Sequence, residues 1–151
     1  MNTAQTIASA GFDISNIAAQ EDPANPRTFK VDLTFTPDGD PLAGLIIVGK
    51  GSEQYRNESH AIRAEGFKKS ARVSTAIDTK TDEGASQLVD TIDDNDRRLA
   101  LAVVVGWYGF TNAGAAVEFD KRLVEAAFDK FPTWQEKVLA ALGNDANFLK
   151  V

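Results

Sequence analysis

A chain of 151 residues, 43% hydrophobic and 25% charged, has the balance of one ordinary globular domain rather than of a disordered tail or a fibre. Its 16 Lys and Arg stand against 22 Asp and Glu, a net charge of -6, which excludes a broad phosphate-neutralising surface and argues against nucleic acid as partner. The absence of cysteine and the single histidine, His60, exclude disulfides, thiolate metal sites, a thiol nucleophile and any multi-histidine zinc site, so no metal or other cofactor is expected.

Residues 1–27 read as an N-terminal arm. Ile7, Phe12, Ile14 and Ile17 are scattered among Ala, Asn, Gln and Ser, and the segment ends on Asp22-Pro23-Ala24-Asn25-Pro26, where two prolines favour extended backbone. The first residues carry no basic stretch, and the longest apolar run, Leu99 to Phe110, falls short of the roughly 20 residues that span a bilayer, so a soluble, cytosolic protein without a membrane partner is expected. Residues 28–151 read as a single α+β domain: a β-hairpin over 28–48, a helical part over 52–143 with about three to five helices, and a C-terminal clasp over 144–151.

From Thr28 the apolar period is two. Phe29, Val31, Leu33 and Phe35 alternate with Lys30, Asp32 and Thr34, placing four apolar groups on one face of a strand. Pro37-Asp38-Gly39-Asp40-Pro41 turns the chain back. The returning run Leu42 to Val48 is continuously apolar at its centre, as suits a strand covered on both faces or an edge that meets a partner, including a second copy of the chain.

Ser52 is a candidate N-cap, and the proline-free stretch that follows accommodates two long helices. Tyr55, Ile62, Phe67, Val73 and Ile77 form the stripe of the first, with Gly66 its weak point, and Leu88, Ile92, Leu99 and Val103 that of the second, with Thr79 to Gly84 between them. The run Leu99 to Val105 reads as the end of the second helix, and Thr111-Asn112-Ala113-Gly114 as a turn. Asp120 caps a short helix buried through Leu123, Val124, Ala127 and Phe128. Phe131-Pro132 ends it and starts a last one with Trp134, Val138, Leu139 and Leu142 on its apolar side, and Phe148-Leu149 forms the terminal clasp.

Chemical motifs are few. Gly44 to Lys50 has the G-x-x-x-x-G-K spacing of a phosphate-binding loop, but its four central residues are the strand itself, and Gly51 stands where Ser or Thr would hold Mg²⁺. Asp93-Asp94-Asn95-Asp96 lacks the glycine and the glutamate of a calcium loop and reads as a solvated helix face. Asp38 and Asp40 belong to the turn, and His60 has no partner spacing for base catalysis. No residue is assigned to catalysis, and the chain reads as a protein that is not an enzyme. The aromatic groups are more informative: Trp107, Tyr108, Phe110 and Phe119 cluster around turns, with Trp134 and Phe148 later, and Trp and Tyr are the usual anchors of protein interfaces.

In their order, several of these features resemble the tail assembly chaperones of long-tailed bacteriophages. They are Phe12-Asp13, Ile46-Ile47-Val48-Gly49-Lys50-Gly51-Ser52 followed by Tyr55, Val105-Gly106-Trp107, Val117-Glu118-Phe119, Phe131-Pro132-Thr133-Trp134 and Asn144-Asp145-Ala146-Asn147-Phe148-Leu149. The chain departs from that family where Gly49-Lys50-Gly51-Ser52 stands in place of a Gly-Asp-Ser after the second strand. The resemblance implies a non-enzymatic protein of the infected host's cytoplasm that binds the phage tape-measure protein and promotes assembly of the tail-tube protein around it. Trp107, Tyr108, Phe110, Trp134 and Phe148 are the expected partner-binding residues. The alternative is a structural virion subunit, a connector or accessory tail protein, clamped to its neighbours by the N-terminal arm.

Overall fold

The computed structural model describes residues 11, 13–19, 22–72 and 77–149. The alternating segment forms β1 (Thr28–Phe35), paired antiparallel with β2 (Pro41–Val48) as the expected hairpin. Gly39 takes φ +89 in the turn, where its N–H donates to the Thr36 carbonyl at 2.9 Å and the Thr36 N–H donates to the Asp40 carbonyl at 2.8 Å. Ser52 caps α1 (Glu53–Arg72): its hydroxyl oxygen accepts the Tyr55 N–H at 3.2 Å while its own proton goes to the Gly49 carbonyl at 2.6 Å. Thr81 caps α2 (Asp82–Val103), and Asp120 caps α3 (Lys121–Lys130) by accepting the Arg122 N–H at 2.9 Å. Pro132 opens α4 (Pro132–Leu142) and Gly143 closes it, so the expected α+β arrangement is observed, with four α-helices among the described residues.

The apolar run Leu99–Val105, read above as helix, divides at Val103. Val104 turns to φ -78 and ψ 115 and opens β3 (Val104–Tyr108), which adds to the open side of β2 and gives the sheet order β1-β2-β3. Three consecutive valines accept either conformation, and the unpaired amides and carbonyls of β2 decide in favour of strand. Two expectations change with it. Trp107 and Tyr108 lie in a strand rather than among turns, and β2 is the central strand, so its apolar run leaves no free edge for self-association.

Helices α2, α3 and α4 cover one face of the sheet. Ala100 and Val103, Val124 and Phe128, and Val138 and Leu142 close over Val31, Leu33, Leu45 and Ile47 in a single buried cluster. Each of these side chains other than Ala100 contributes about 1.5–3 kcal/mol when withdrawn from water. Arg97 and Arg98, about 100° apart on α2, tie it in two directions. Arg97 pairs with Asp129 of α3 at 2.8 Å, and Arg98 pairs with Glu58 and Glu65 of α1, each at 2.6 Å. The Arg98 guanidinium thereby holds the Glu65 carboxyl below the usual range.

Other expectations fail locally, for physical reasons. Register shifts between Asp32 and Phe35 break the alternation of β1, so Phe35 stands half exposed beneath the Lys137 ammonium instead of joining Val31 and Leu33. In α1, whose main contact is with α2, Tyr55 and Ile62 are partly buried but Phe67 is 77% exposed. Gly66 does not interrupt the helix. In α3, Val124 and Phe128 enter the core while Leu123 stays half exposed. Of the residues invoked above, Ile7, Phe12 and Val73 lie outside the described ones. Within the arm, Ile14–Ala19 forms a 3-10 turn with Ile14 and Ile17 exposed, and the Pro23 carbonyl accepts the Glu53 N–H at 3.0 Å. At the segment expected to form the C-terminal clasp, Phe148 meets Phe29 edge-on at 6.1 Å, and Arg27 donates to the Leu149 carbonyl at 3.0 Å. Among the described residues no helix is long and apolar enough to cross a membrane.

Candidate partner-binding cleft

Trp107 ends the core-facing row of β3, directly opposite Leu45 of β2. Gly109, at φ +77, then reverses the chain so tightly that a Cβ would stand 2.0 Å from the Leu42 carbonyl. The reversal lays Phe110 against Trp107, with ring centroids 5.2 Å apart, and carries the chain into a small ribbon of β4 (Thr111–Asn112) and β5 (Ala115–Ala116) around the expected turn. Phe119 returns edge-on to Trp107 at 5.3 Å, and the Trp107 indole N–H donates to the Val117 carbonyl at 2.9 Å. From the helical layer Trp134 approaches Phe110 at 6.1 Å and stacks on Phe131 at 4.6 Å.

These groups enclose an apolar cleft of about 300 Å³ between the sheet edge, the ribbon and α3. Its floor is Leu45, Trp107 and Val124, and its walls are Phe110, Trp134, Leu123 and Ala127. Thr111 and Asn112 are the polar side chains on its lining, and among the described residues no titratable group lines it. Such a surface is suited to taking up apolar side chains. The indole N–H, already satisfied by Val117, leaves the Trp107 ring free for contact without a stranded donor.

Of the five residues expected to bind a partner, the fold brings three, Trp107, Phe110 and Trp134, into this cleft. Tyr108 points to the other face of the sheet. Its ring crosses Gly44 of β2, its hydroxyl bonds the Asp32 carboxylate of β1, and the Lys30 ammonium lies 5.1 Å from its centroid. Phe148 packs on Phe29 and over Gly49 at the clasp. Sequence reasoning missed Leu123 and Ala127 as cleft residues by assigning both to the core. The signal was present: four apolar positions over 123–128 form two stripes of i, i+4 spacing, and a helix on the edge of a domain buries one stripe while the other faces outward.

Burial, reinforced by the hydrogen bond to Asp32, pushes the Tyr108 phenol up to about 12. A raised phenol value means that the native state favours the neutral form. The corresponding stability is present in full below the ordinary phenol range near about 10 and is lost as pH rises through about 12. Absorbance titration of phenolate is expected to show a late component that Tyr108→Phe abolishes and Asp32→Asn moves down. Loss of an ordinary rather than a late component in Tyr108→Phe, or a late component that Asp32→Asn leaves in place, would refute the assignment.

Two further concavities carry charged side chains. One of about 350 Å³ at the clasp is lined by Arg27, Lys50 and Arg56 with Asp22 and Asp145, and includes the lysine of the G-x-x-x-x-G-K spacing. Of the amides that a phosphate loop would present, those of Gly44–Val48 lie in the sheet and that of Ser52 donates to the Gly49 carbonyl. A groove between α2 and the α3–α4 pair is lined by Asp93, Asp94, Asp96 and Glu125, with Arg97 paired to Asp129 within it. Among the described residues no group of histidines and carboxylates is disposed to hold a metal, and His60 is exposed on α1.

No protein-family model, curated protein or solved structure matches the chain.

Proposed function

We propose that the chain is a tail assembly chaperone of the kind made by long-tailed bacteriophages, a non-enzymatic protein of the infected host's cytoplasm. It binds the tape-measure protein and promotes assembly of the tail-tube protein around it. The sequence resemblance suggests this reading, and the observation that supports it best is the apolar, aromatic-walled cleft of Trp107, Phe110 and Trp134, which carries no titratable group. A tape-measure chain is long and largely helical, and before the tube encloses it its apolar stripes are exposed and liable to associate. A cleft of this size takes one or two apolar side chains from such a stripe, in the manner of a helix laid in a groove. The net charge of -6 on each bound copy then keeps covered complexes apart.

The test uses Leu123, which is 49% exposed on the cleft wall and contributes little to the core. Tagged protein purified from infected cells is expected to bring down a very long helical protein and the tail-tube subunit, and to be absent from finished particles. Leu123→Glu is expected to reduce that recovery at least about tenfold with the circular dichroism unchanged. Undiminished recovery with Leu123→Glu would remove the cleft from the contact. Stoichiometric presence of the protein in purified particles would make it a structural virion subunit instead.

A further inference from the structure

The sheet ends on β1, and the outer side of that strand is unpaired. Among the described residues the backbone of residues 29–33 bonds only to β2, so its alternate amides and carbonyls point outward without a partner. A charged side chain is the usual guard of such an edge, because an arriving strand must take up the charge. β1 carries two of opposite sign. Lys30 and Asp32 stand on the face of the sheet away from the helices, since Val31 between them is buried beneath the helical layer. Neither charge is neutralised by an ion pair within one copy. The Asp32 carboxylate accepts the Tyr108 hydroxyl at Oδ1 and has no bond at Oδ2, and the Lys30 ammonium rests near the Tyr108 ring but meets no carboxylate among the described residues.

Outward from Val31 the strand is symmetrical in character: Lys30 matches Asp32, Phe29 matches Leu33, and Thr28 matches Thr34. We propose that two copies of the chain pair antiparallel through β1, about a two-fold axis at Val31, into one continuous sheet of order β3-β2-β1-β1-β2-β3. An axis normal to the sheet keeps both helical layers on one side, so residues that face each other across the junction point to the same face. Lys30 of each copy then stands opposite Asp32 of the other on the open face, and Phe29 opposite Leu33 on the covered one. Sliding the register to centre on Lys30 or on Asp32 opposes two ammonium groups or two carboxylates, and centring on Phe29 or Leu33 leaves a charge opposite threonine. The register shifts of β1 begin after Asp32, so the three residues that decide the match lie in regular strand. Each charged pair occurs twice, as an isologous contact requires, and the complement of this edge is therefore the same edge of a second copy. β3 lies at each outer end of the joined sheet, which leaves the Trp107 cleft of both copies open.

Sedimentation equilibrium of the full chain is expected to show a dimer, and amide exchange within residues 29–33 to slow as concentration passes its dissociation constant. Lys30→Glu is expected to raise that constant at least about tenfold with the circular dichroism unchanged, since Lys30 is exposed in one copy. Asp32→Lys is expected to weaken the dimer likewise, and mixing the two proteins to restore it as a heterodimer in which both contacts join opposite charges. Rescue on mixing distinguishes a contact between copies from one within a copy. Should loss of the Tyr108 hydrogen bond unfold Asp32→Lys, the exchange measurement and Lys30→Glu decide by themselves. A monomer at every concentration, a dimer that forms without slower exchange in β1 or is indifferent to Lys30→Glu, or folded charge-reversed proteins that fail to rescue one another would each overturn the proposal.

Discussion

Replacing Phe128 by alanine is expected to cost about 3–5 kcal/mol and to lower the thermal midpoint by on the order of 10 °C. Phe128 is completely buried and is the largest side chain so enclosed. It projects from α3 into the cluster formed by α2, α4 and the sheet, with the Arg97 guanidinium 5.9 Å from its ring centroid. Truncation removes both the transfer energy of the ring and the contacts of its neighbours, and the surrounding groups are poorly placed to collapse into the space, since they stand on separate elements. Val124→Ala, one turn away and equally enclosed but smaller, is expected to lose less. Calorimetric unfolding of the two variants checks the order. A Phe128→Ala protein that melts with wild type would mean that α3 is not part of the cooperative core.

Gly44→Ala is expected to destabilise by about 3 kcal/mol, the upper end for a group forced into a packed site. In the register of the sheet Gly44 lies between Asp32 of β1 and Tyr108 of β3, and the phenol reaches Asp32 across the space that a side chain would occupy. A Cβ at this position would stand 2.2 Å from the Val31 carbonyl and 2.8 Å from the Tyr108 ring. The ring can swing away but the carbonyl belongs to the sheet backbone, so the strands themselves must shift. Loss of stability is therefore expected together with loss of the late phenol titration. Combining the substitution with Tyr108→Ala should recover only the smaller part of the loss. A stable Gly44→Ala protein with its phenol titration intact would show that the Asp32–Gly44–Tyr108 row is not closed in solution.

The fold parts the five residues expected to bind a partner. Trp107 and Phe110 are near neighbours in sequence and meet through the tight reversal at Gly109, whereas Trp134 reaches the same cleft from α4. Tyr108 came with them through adjacency alone, and strand geometry separates it, because successive side chains of β3 point to opposite faces. Phe148 is drawn to the clasp by Phe29 and by the bare backbone at Gly49, neither of which its own neighbourhood in sequence reveals.

By itself the sequence determined those elements whose causes are local. The Asp-Gly turn sets a hairpin by backbone conformation, Ser52 and Asp120 set helix starts by hydrogen bonds over three residues or fewer, and Pro132 and Gly143 bound a helix by what their backbones permit or refuse. The tertiary structure alone decided where local preferences balance or where a side chain has more than one surface to meet. Val103 to Val105 suits helix and strand alike, and the vacant side of β2 breaks the tie. Leu88 and Ile92 have the pattern of a buried stripe, yet stay exposed, and the one large apolar side chain on the distal half of α1, Phe67, is itself 77% exposed. Periodicity fixes which side chains share a face, and only the neighbouring elements fix whether that face is covered.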